Sequence, residues 1–224
     1  AHHFNNRLHG VLGYLELSMD DIKLGIMPAE SIEAAADSAR QAADLGAMML
    51  TYLGESIIST TDVDLVVFCE STFADLQKKS PENISFEHTT SAVPVPVKAN
   101  PGQLRQVITN LYTNAVEAIG DREGVIRTSV CVAGRDEIAS ANRYPVDWEA
   151  EETLYGSFEI TDNGSGIDHA DLERIFDPFF TTRFTGRGLG LAVALGIIKN
   201  HDGGMTVTSE LGKGSSFKFY LPLH

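Results

Sequence analysis

The stretch NLYTNAVEA, residues 110–118, places three polar side chains along one face of a predicted helix. Asn110, Asn114 and Glu117 follow the spacing i, i+4 and i+7, beside an apolar stripe of the same helix. Asparagine disfavours a helix interior because its amide competes for backbone hydrogen bonds. Two asparagines one turn apart therefore indicate ligands, and amide and carboxylate oxygens suit Mg²⁺, which also binds substrate phosphates. A solvated helix face explains the stretch equally well.

A glycine-containing turn, DNGSGI at residues 162–167, comes directly after a predicted strand. Gly164 and Gly166 permit tight turns and a close approach of the backbone to a ligand. The Asp162 carboxylate can accept a hydrogen bond from an exocyclic amine such as that of adenine. An ordinary β-turn can also contain DNG, so this stretch alone is weak support for a ligand site.

A second glycine-rich stretch, TGRGLGL at residues 185–191, opens a helix predicted near 188–200. Glycines before a helix expose backbone N–H groups, and the helix dipole favours an anion there. This arrangement binds phosphate groups, although a flexible loop is the alternative. The sequence excludes a P-loop, because GKGS at 212–215 lacks the upstream glycine that the motif requires.

Aromatic residues and a proline are concentrated between these two turns, in RIFDPFFTT at 174–182. Such residues are unusual in a solvent-exposed loop. They are typical of the hinge of a lid that folds over a bound ligand, and core packing is the alternative.

The fixed order of these four stretches resembles the ATP-binding domain of the sensor histidine kinases, within the GHKL or Bergerat-type family that also includes the gyrase, Hsp90 and MutL ATPases. The resemblance covers residues from about 65 to 222 and ends in GKGSSFKFYLP, where Ser215 and Ser216 replace the usual threonine. Several predicted strands with a few helices and no βαβ regularity predict an α+β two-layer sandwich, and the resemblance implies that this domain uses ATP and Mg²⁺.

The resemblance also assigns roles to individual residues. It implies that Asn114 binds Mg²⁺, that Asn110 and Glu117 support the metal and the phosphates, and that Asp162 binds the adenine amine. The remaining expected ATP-binding residues shape the base pocket, the aromatic hinge and the phosphate loop: Gly164, Gly166, Ile167, Phe176, Phe179, Phe180, Gly186, Arg187, Gly188, Leu189, Gly190, Ser215 and Ser216.

The first residues, AHHFNNRL, align without a gap with the A-H-D-F-N-N-x-L box of one histidine kinase subgroup. The resemblance implies that His2 is the phosphoacceptor and that Asn6 positions water for dephosphorylation of the response regulator. A neutral imidazole is a good nucleophile near neutral pH. His3 stands where the family has an acid, which leaves two alternatives: lowered autokinase or transfer rates, or an acid supplied from elsewhere. Taking His3 as the acceptor would break the alignment at every later position.

The chain divides into three predicted regions. Residues 1–58 read as two amphipathic helices broken at LGIMP, where Gly25 ends one helix and Pro28 starts the next. Because two helices bury little, we expect two chains to form a four-helix bundle. Residues 59–64 are a predicted hinge, and residues 65–224 the ATP-binding domain. Its acidic segment 133–153 lacks periodicity and is predicted to be an exposed excursion.

Composition narrows the possible partners. The chain of 224 residues carries 17 basic and 31 acidic side chains, a net charge of −14, which argues against nucleic-acid and anionic-membrane surfaces. Its two cysteines fit no metal-ligand spacing. No apolar run is long enough to span a bilayer. The resemblance implies a cytoplasmic location for this core, and it leaves open whether the full-length protein is cytosolic or membrane-anchored. The chain begins inside a predicted helix, which leads us to expect an upstream segment.

These observations predict the core of a two-component sensor histidine kinase, in which ATP phosphorylates His2 and the phosphoryl group passes to an aspartate of a response-regulator receiver. Phosphatase activity and homodimerisation through the hairpin are further expectations. One alternative is a phosphotransfer or regulatory module whose ATP domain is weak or inactive. The other is a non-kinase ATPase of the same wider family.

Overall fold

The computed structural model describes residues 2–52, 59–139, 143–182 and 188–224. Two units separate within the chain, Ala1–Leu53 and Gly54–His224, and each is described by itself. Within the described residues, no helix has the length and apolar character needed to cross a membrane.

The first unit contains two helices, α1 (His2–Lys23) and α2 (Ala29–Tyr52), separated at the predicted break. They pack antiparallel, because Ser31 near the start of α2 donates to Asp21 Oδ2 near the end of α1 at 3.1 Å, whereas Gly10 faces Ser38. Small residues allow this close packing: Ser18, Ala35 and Ala42 are buried between the helices. The four-helix bundle stays a prediction.

Helix α1 leaves an apolar stripe exposed in the single chain. Its members follow alternating spacings of four and three residues, as the seam of a helical bundle does. They are Leu8, Leu12, Leu15, Met19 and Ile22.

The second unit is built on a six-stranded sheet of order β2–β4–β6–β8–β7–β5. Strands β2 and β4 are parallel, and the other neighbours are antiparallel. The strands are β2 (Ile84–Thr90), β4 (Gly124–Gly134), β5 (Arg143–Tyr144), β6 (Leu154–Asp162), β7 (Gly204–Glu210) and β8 (Gly214–Pro222). The helices are α3 (Leu65–Gln77), α4 (Pro101–Ile119), α5 (Arg135–Ala139) and α6 (Gly190–Lys199). Because α3, α4 and α6 pack against this sheet, the predicted α+β two-layer sandwich is confirmed.

Helices α4 and α6 run antiparallel and are joined by hydrogen bonds at both ends of α6. Asn100 caps α4 by accepting a hydrogen bond from the Gln103 backbone, as N-cap residues do. Its own backbone N–H donates to His201 Nε2 at 3.0 Å, just after α6. At the other end, Asn110 Nδ2 donates to the Gly190 carbonyl oxygen at 3.0 Å. The two helices therefore hold the polar face of α4 beside the start of α6.

Two predicted connections are more ordered than the sequence suggests. In the predicted hinge, Thr61–Asp64 forms strand β1, which pairs antiparallel with β3 (Pro96–Ala99). The predicted exposed excursion contains α5 and β5, with Ile138 fully buried. Its apolar residues pack from irregular chain positions and not along one face of a helix or strand, so periodicity does not reveal them.

Candidate functional site

A cavity of about 470 Å³ lies in the second unit, between α4, the end of β6 and the start of α6. Three of the sequence-predicted stretches meet there, together with part of the aromatic one. Among the predicted residues, those that line it are Asn110, Asn114, Glu117, Asp162, Gly166, Ile167, Phe180, Gly188, Leu189, Gly190 and Ser215.

The polar face of α4 forms one wall. Asn110 and Asn114 are half-buried, whereas Glu117 is exposed at the rim. Asn110 is fixed by its bond to Gly190. The Nδ2 atom of Asn114 is buried and has no hydrogen-bond partner among the described residues. Burying an unpaired amide N–H group costs free energy, so we expect a ligand atom or an ordered water to accept a hydrogen bond from it.

Asp162 lies at the end of β6, where it is 5% exposed. Its Oδ1 atom accepts a hydrogen bond from the Gly164 backbone at 2.7 Å, which shapes the turn that follows. Gly164 packs directly on the end of α4, where an added Cβ would lie 2.6 Å from the Ala118 carbonyl carbon. Gly164 does not line the cavity itself, but its lack of a side chain lets β6 bring Asp162 to α4.

Gly166 and Ser215 connect the turn to the last two strands. Gly166 has φ +67°, and a Cβ there would collide with the Glu210 carbonyl oxygen. The Ile167 backbone donates to Ser209 Oγ at 2.8 Å, and Ser209 Oγ lies 2.9 Å from Ser215 Oγ. Ser215 lines the cavity, so these contacts join the turn after β6 to the cavity wall.

Ser216 points to the other side of β8. It donates to Glu159 Oε1 at 2.6 Å and accepts from Thr161 at 2.9 Å. Successive residues of a strand face opposite sides of a sheet, so Ser216 is not brought to the cavity with Ser215.

The aromatic residues divide between the cavity and the core. Phe180 lines the cavity, with the Arg174 guanidinium 4.6 Å from its ring centroid. Phe176 is buried outside the cavity, where its ring centroid lies 4.7 Å from that of Tyr144. Phe179 has φ +71°, and its N–H donates to the Gly188 carbonyl oxygen at 2.7 Å. This bond joins the aromatic segment to the start of the glycine loop.

Several predicted residues lie outside the described part of the structure. These are Gly186 and Arg187 in the glycine loop, and the side chains of His2 and His3, whose backbone begins α1. Asn6 is described and exposed on that helix.

A family model for histidine kinase-, DNA gyrase B-, and HSP90-like ATPases matches residues 99–224. The chain belongs to this family. The sensor histidine kinase ZraS of Salmonella typhimurium is 30% identical over 228 residues, which cover 100% of this chain and 44% of ZraS. The resemblance to sensor histidine kinases is thus confirmed, whereas the subgroup assigned from the first residues stays a prediction. The chain spans less than half the length of the curated relatives that it matches.

Solved structures agree with this assignment. The catalytic domain of the histidine kinase ThkA matches with a TM-score of 0.58 at 27% identity, over 74% of this chain and 97% of that domain. ThkA solved in complex with the response regulator TrrA matches with a TM-score of 0.61 at 23% identity, over 100% of this chain and 60% of that one. At that identity the second likeness shows the fold alone.

The cavity has a strongly acidic lining. Four carboxylates, those of Glu117, Asp162, Asp168 and Asp171, line the cavity, and the described lining contains neither lysine nor arginine. A polyanionic ligand would be repelled unless a cation accompanied it.

The sequence reasoning missed several cavity residues. Asp168 and Asp171 lie one and four residues after DNGSGI, so extending that stretch by four residues would have found them. Thr113, which also lines the cavity, falls at i+3 from Asn110 on the same face of α4. Ser209 lies outside the lining but contacts the lining residues Ile167 and Ser215. It carries no sequence signal, because its role depends on the register between β7 and β8.

Proposed function

We propose that this chain is the catalytic core of a sensor histidine kinase that binds ATP with Mg²⁺ in the described cavity and phosphorylates His2. The observation that carries the proposal is the convergence of an asparagine-bearing helix face, a buried carboxylate and a glycine-flanked helix start around one cavity. These groups suit the metal, the base and the phosphates of a nucleotide, respectively.

The base end of the site is assigned to Asp162. Its carboxylate would accept a hydrogen bond from the adenine amino group, and guanine offers no amino group at that ring position. Ile167, Ile175 and Phe180 supply apolar surface for the purine ring. Gly164 and Gly166 keep the backbone close enough to form the pocket.

The phosphate end is assigned to the start of α6 and the polar face of α4. Backbone N–H groups around Gly188, Leu189 and Gly190 favour an anion, and Gly186 and Arg187 are expected to join them. Asn114 would hold Mg²⁺ through its side-chain oxygen, with support from Asn110 and Glu117. The residues fit this ion: side-chain oxygens of Asn114, Asn110 and Glu117 line the cavity, and its acidic lining needs a cation to accompany ATP. The unpaired Nδ2 atom of Asn114 would donate to a phosphate oxygen or a water and does not bind the metal.

The chemical step is phosphoryl transfer to a histidine ring. A ring nitrogen of His2 forms a bond to the γ-phosphorus, the bond from that phosphorus to the β,γ-bridging oxygen breaks, and ADP leaves. Such transfer depends on positioning and charge neutralisation more than on covalent help from the protein. His3 cannot supply the negative charge of the usual acid, so we expect slow transfer. In the separate phosphatase reaction, Asn6 would position the water that attacks the phosphorus of the receiver's phosphoaspartate, which releases inorganic phosphate and the free carboxylate.

A response-regulator receiver is the proposed recipient of the phosphoryl group. The solved pair of ThkA and TrrA supports this class of partner. The exposed stripe of α1 supports a homodimer, since its apolar side chains have no cover in the single chain. We place this core in the cytoplasm, where ATP and receiver domains are found.

Calorimetric titration of the whole chain with ATP and GTP, with Mg²⁺ and with EDTA, tests the proposal. We expect ATP to bind only with Mg²⁺, GTP to bind at least about tenfold more weakly, and Asp162→Asn to weaken ATP about tenfold or more, because a charge-assisted hydrogen bond contributes about 1.5–3 kcal/mol. Asp177→Asn, an exposed neighbour outside the cavity lining, is the matched control. ATP binding that survives Asp162→Asn unchanged would exclude this site.

A further inference from the structure

Tyr144 reaches from the edge of the sheet to the wall of the cavity. It lies in β5, which pairs with Met205 and Thr206 of β7. Its hydroxyl donates to the Leu172 carbonyl oxygen at 3.1 Å, and its ring packs on Phe176 with centroids 4.7 Å apart. Tyr144 is not itself among the cavity-lining residues.

The wall that Tyr144 contacts has no regular secondary structure of its own. Residues 168–178 form successive turns, with backbone bonds from Asp171 to Asp168 at 2.9 Å and from Arg174 to Asp171 at 2.8 Å. The same stretch and the residues after it supply the cavity residues Asp168, Asp171, Ile175 and Phe180. Because short turns are weakly cooperative, their position depends on contacts with neighbouring elements.

Tyr144 is well placed to supply such a contact because the β4–β6 connection that carries it is itself anchored to the core of the second unit. Ile138 and Ala150, on either side of Tyr144, are buried in one core cluster, against which Trp148 packs. Glu137 accepts a hydrogen bond from Lys218 at 2.7 Å, and the Lys218 side chain is 14% exposed. A tyrosine hydroxyl is protonated at neutral pH and can donate this bond, and burial, with a smaller effect of Glu173, raises the pKa of Tyr144 further.

We propose that Tyr144 is a positioning residue for nucleotide binding, which acts through Leu172 and Phe176 to hold the wall formed by Ile175 and Phe180. This inference rests on the proposed ATP-binding function of the cavity. The β4–β6 connection is then a structural part of the site and not an exposed excursion. Loss of the contact should weaken ground-state and transition-state binding alike, which raises KM and leaves kcat unchanged.

The test compares Tyr144→Phe and Tyr144→Leu with two controls in the whole chain. Tyr220→Phe removes a buried hydroxyl that pairs with Thr206 at 3.3 Å away from the cavity lining, and Val146→Ala alters an exposed residue next to Pro145. The readouts are the affinity for a fluorescent ATP analogue with Mg²⁺, the KM and kcat for ATP, and the melting temperature.

We expect Tyr144→Phe to raise the dissociation constant and KM about three- to tenfold, as loss of one hydrogen bond predicts. Tyr144→Leu should raise both further, because it also loses the Phe176 contact, while kcat stays unchanged and the controls keep wild-type affinity. If the wild type binds ATP and Tyr144→Phe binds it as tightly as Tyr220→Phe does, this inference is overturned and the proposed function is not. A wild type that does not bind ATP would overturn the proposed function as well.

Discussion

At the scale of single residues, Asp162 links the fold to the proposed chemistry. Its Oδ1 atom fixes the turn at Gly164, and its partner across the sheet register is Ser215, which also faces the cavity. Residue type and position were predictable here, because a carboxylate after a strand and before two glycines is a local pattern. The opposed directions of Ser215 and Ser216 were not predictable, because the sequence motif does not indicate which of the two serines faces the cavity.

Cys69 gives a pH-dependent prediction. Burial, then the charges of Asp64 and Glu70, raise the pKa of this thiol well above its ordinary value of 9.0. The folded chain therefore holds the thiol proton to higher pH than the unfolded chain does. The resulting stability is complete below pH 9.0 and declines as pH rises above it.

Denaturant unfolding at pH 8, 9 and 10 would measure this effect by comparing wild type with Cys69→Ala. We expect the wild type to lose up to about 1.4 kcal/mol per pH unit more than the variant above pH 9, the value for one proton. Each protein is compared with itself at pH 8, so the cost of the truncation cancels. Parallel losses in both proteins would contradict the burial argument.

At the scale of elements, the pair α4 and α6 carries much of the site. Their helical pattern, the proline in the first turn of α4 and the glycines before α6 were all visible in the sequence. Their antiparallel register was not visible in the sequence, because it depends on hydrogen bonds of Asn100, Asn110 and His201 with residues far away in the chain. The β4–β6 connection was missed for a related reason: Ile138, Tyr144 and Trp148 follow no regular period.

His201 offers a test of how the two helices are joined. Its Nδ1 atom donates to the Ile197 carbonyl oxygen at 2.8 Å, so its Nε2 accepts from the Asn100 N–H. We expect His201→Ala to lower the free energy of unfolding by about 2 kcal/mol, because it removes a buried side chain and leaves the part-buried Asn100 N–H unpaired. Urea denaturation measures the loss, and the exposed His169→Ala serves as the control. Equal stabilities of the two variants would show that this contact is not needed.

At the scale of the whole molecule, the chain joins a pair of helices to a family ATPase domain. The fold class of the domain and the order of its motifs could be predicted from the sequence, because local patterns of glycine, aspartate and asparagine identify them. The assembly of two chains is not contained in one chain's structure and has to be tested directly.

The exposed stripe of α1 makes that test specific. We expect the wild-type chain to sediment as a dimer and Leu12→Glu/Met19→Glu to sediment as a monomer, because each charge would be buried in an apolar seam. Sedimentation velocity at micromolar concentration measures this, with the exposed Glu16→Gln as control. A monomeric wild type, or a dimeric double variant, would contradict the bundle.

The central claim is that ATP bound in the described cavity phosphorylates His2. The most direct measurement is incubation of the whole chain with γ-labelled ATP and Mg²⁺, followed by tests of acid and alkali stability of the label. We expect acid-labile, alkali-stable label in the wild type and in His3→Gln, no label in His2→Gln, and less label than wild type in Asp162→Asn at an ATP concentration below the dissociation constant of that variant. Label lost only in His3→Gln would show that His3, and not His2, is the phosphoacceptor. A wild type that binds ATP but takes no label would contradict kinase activity.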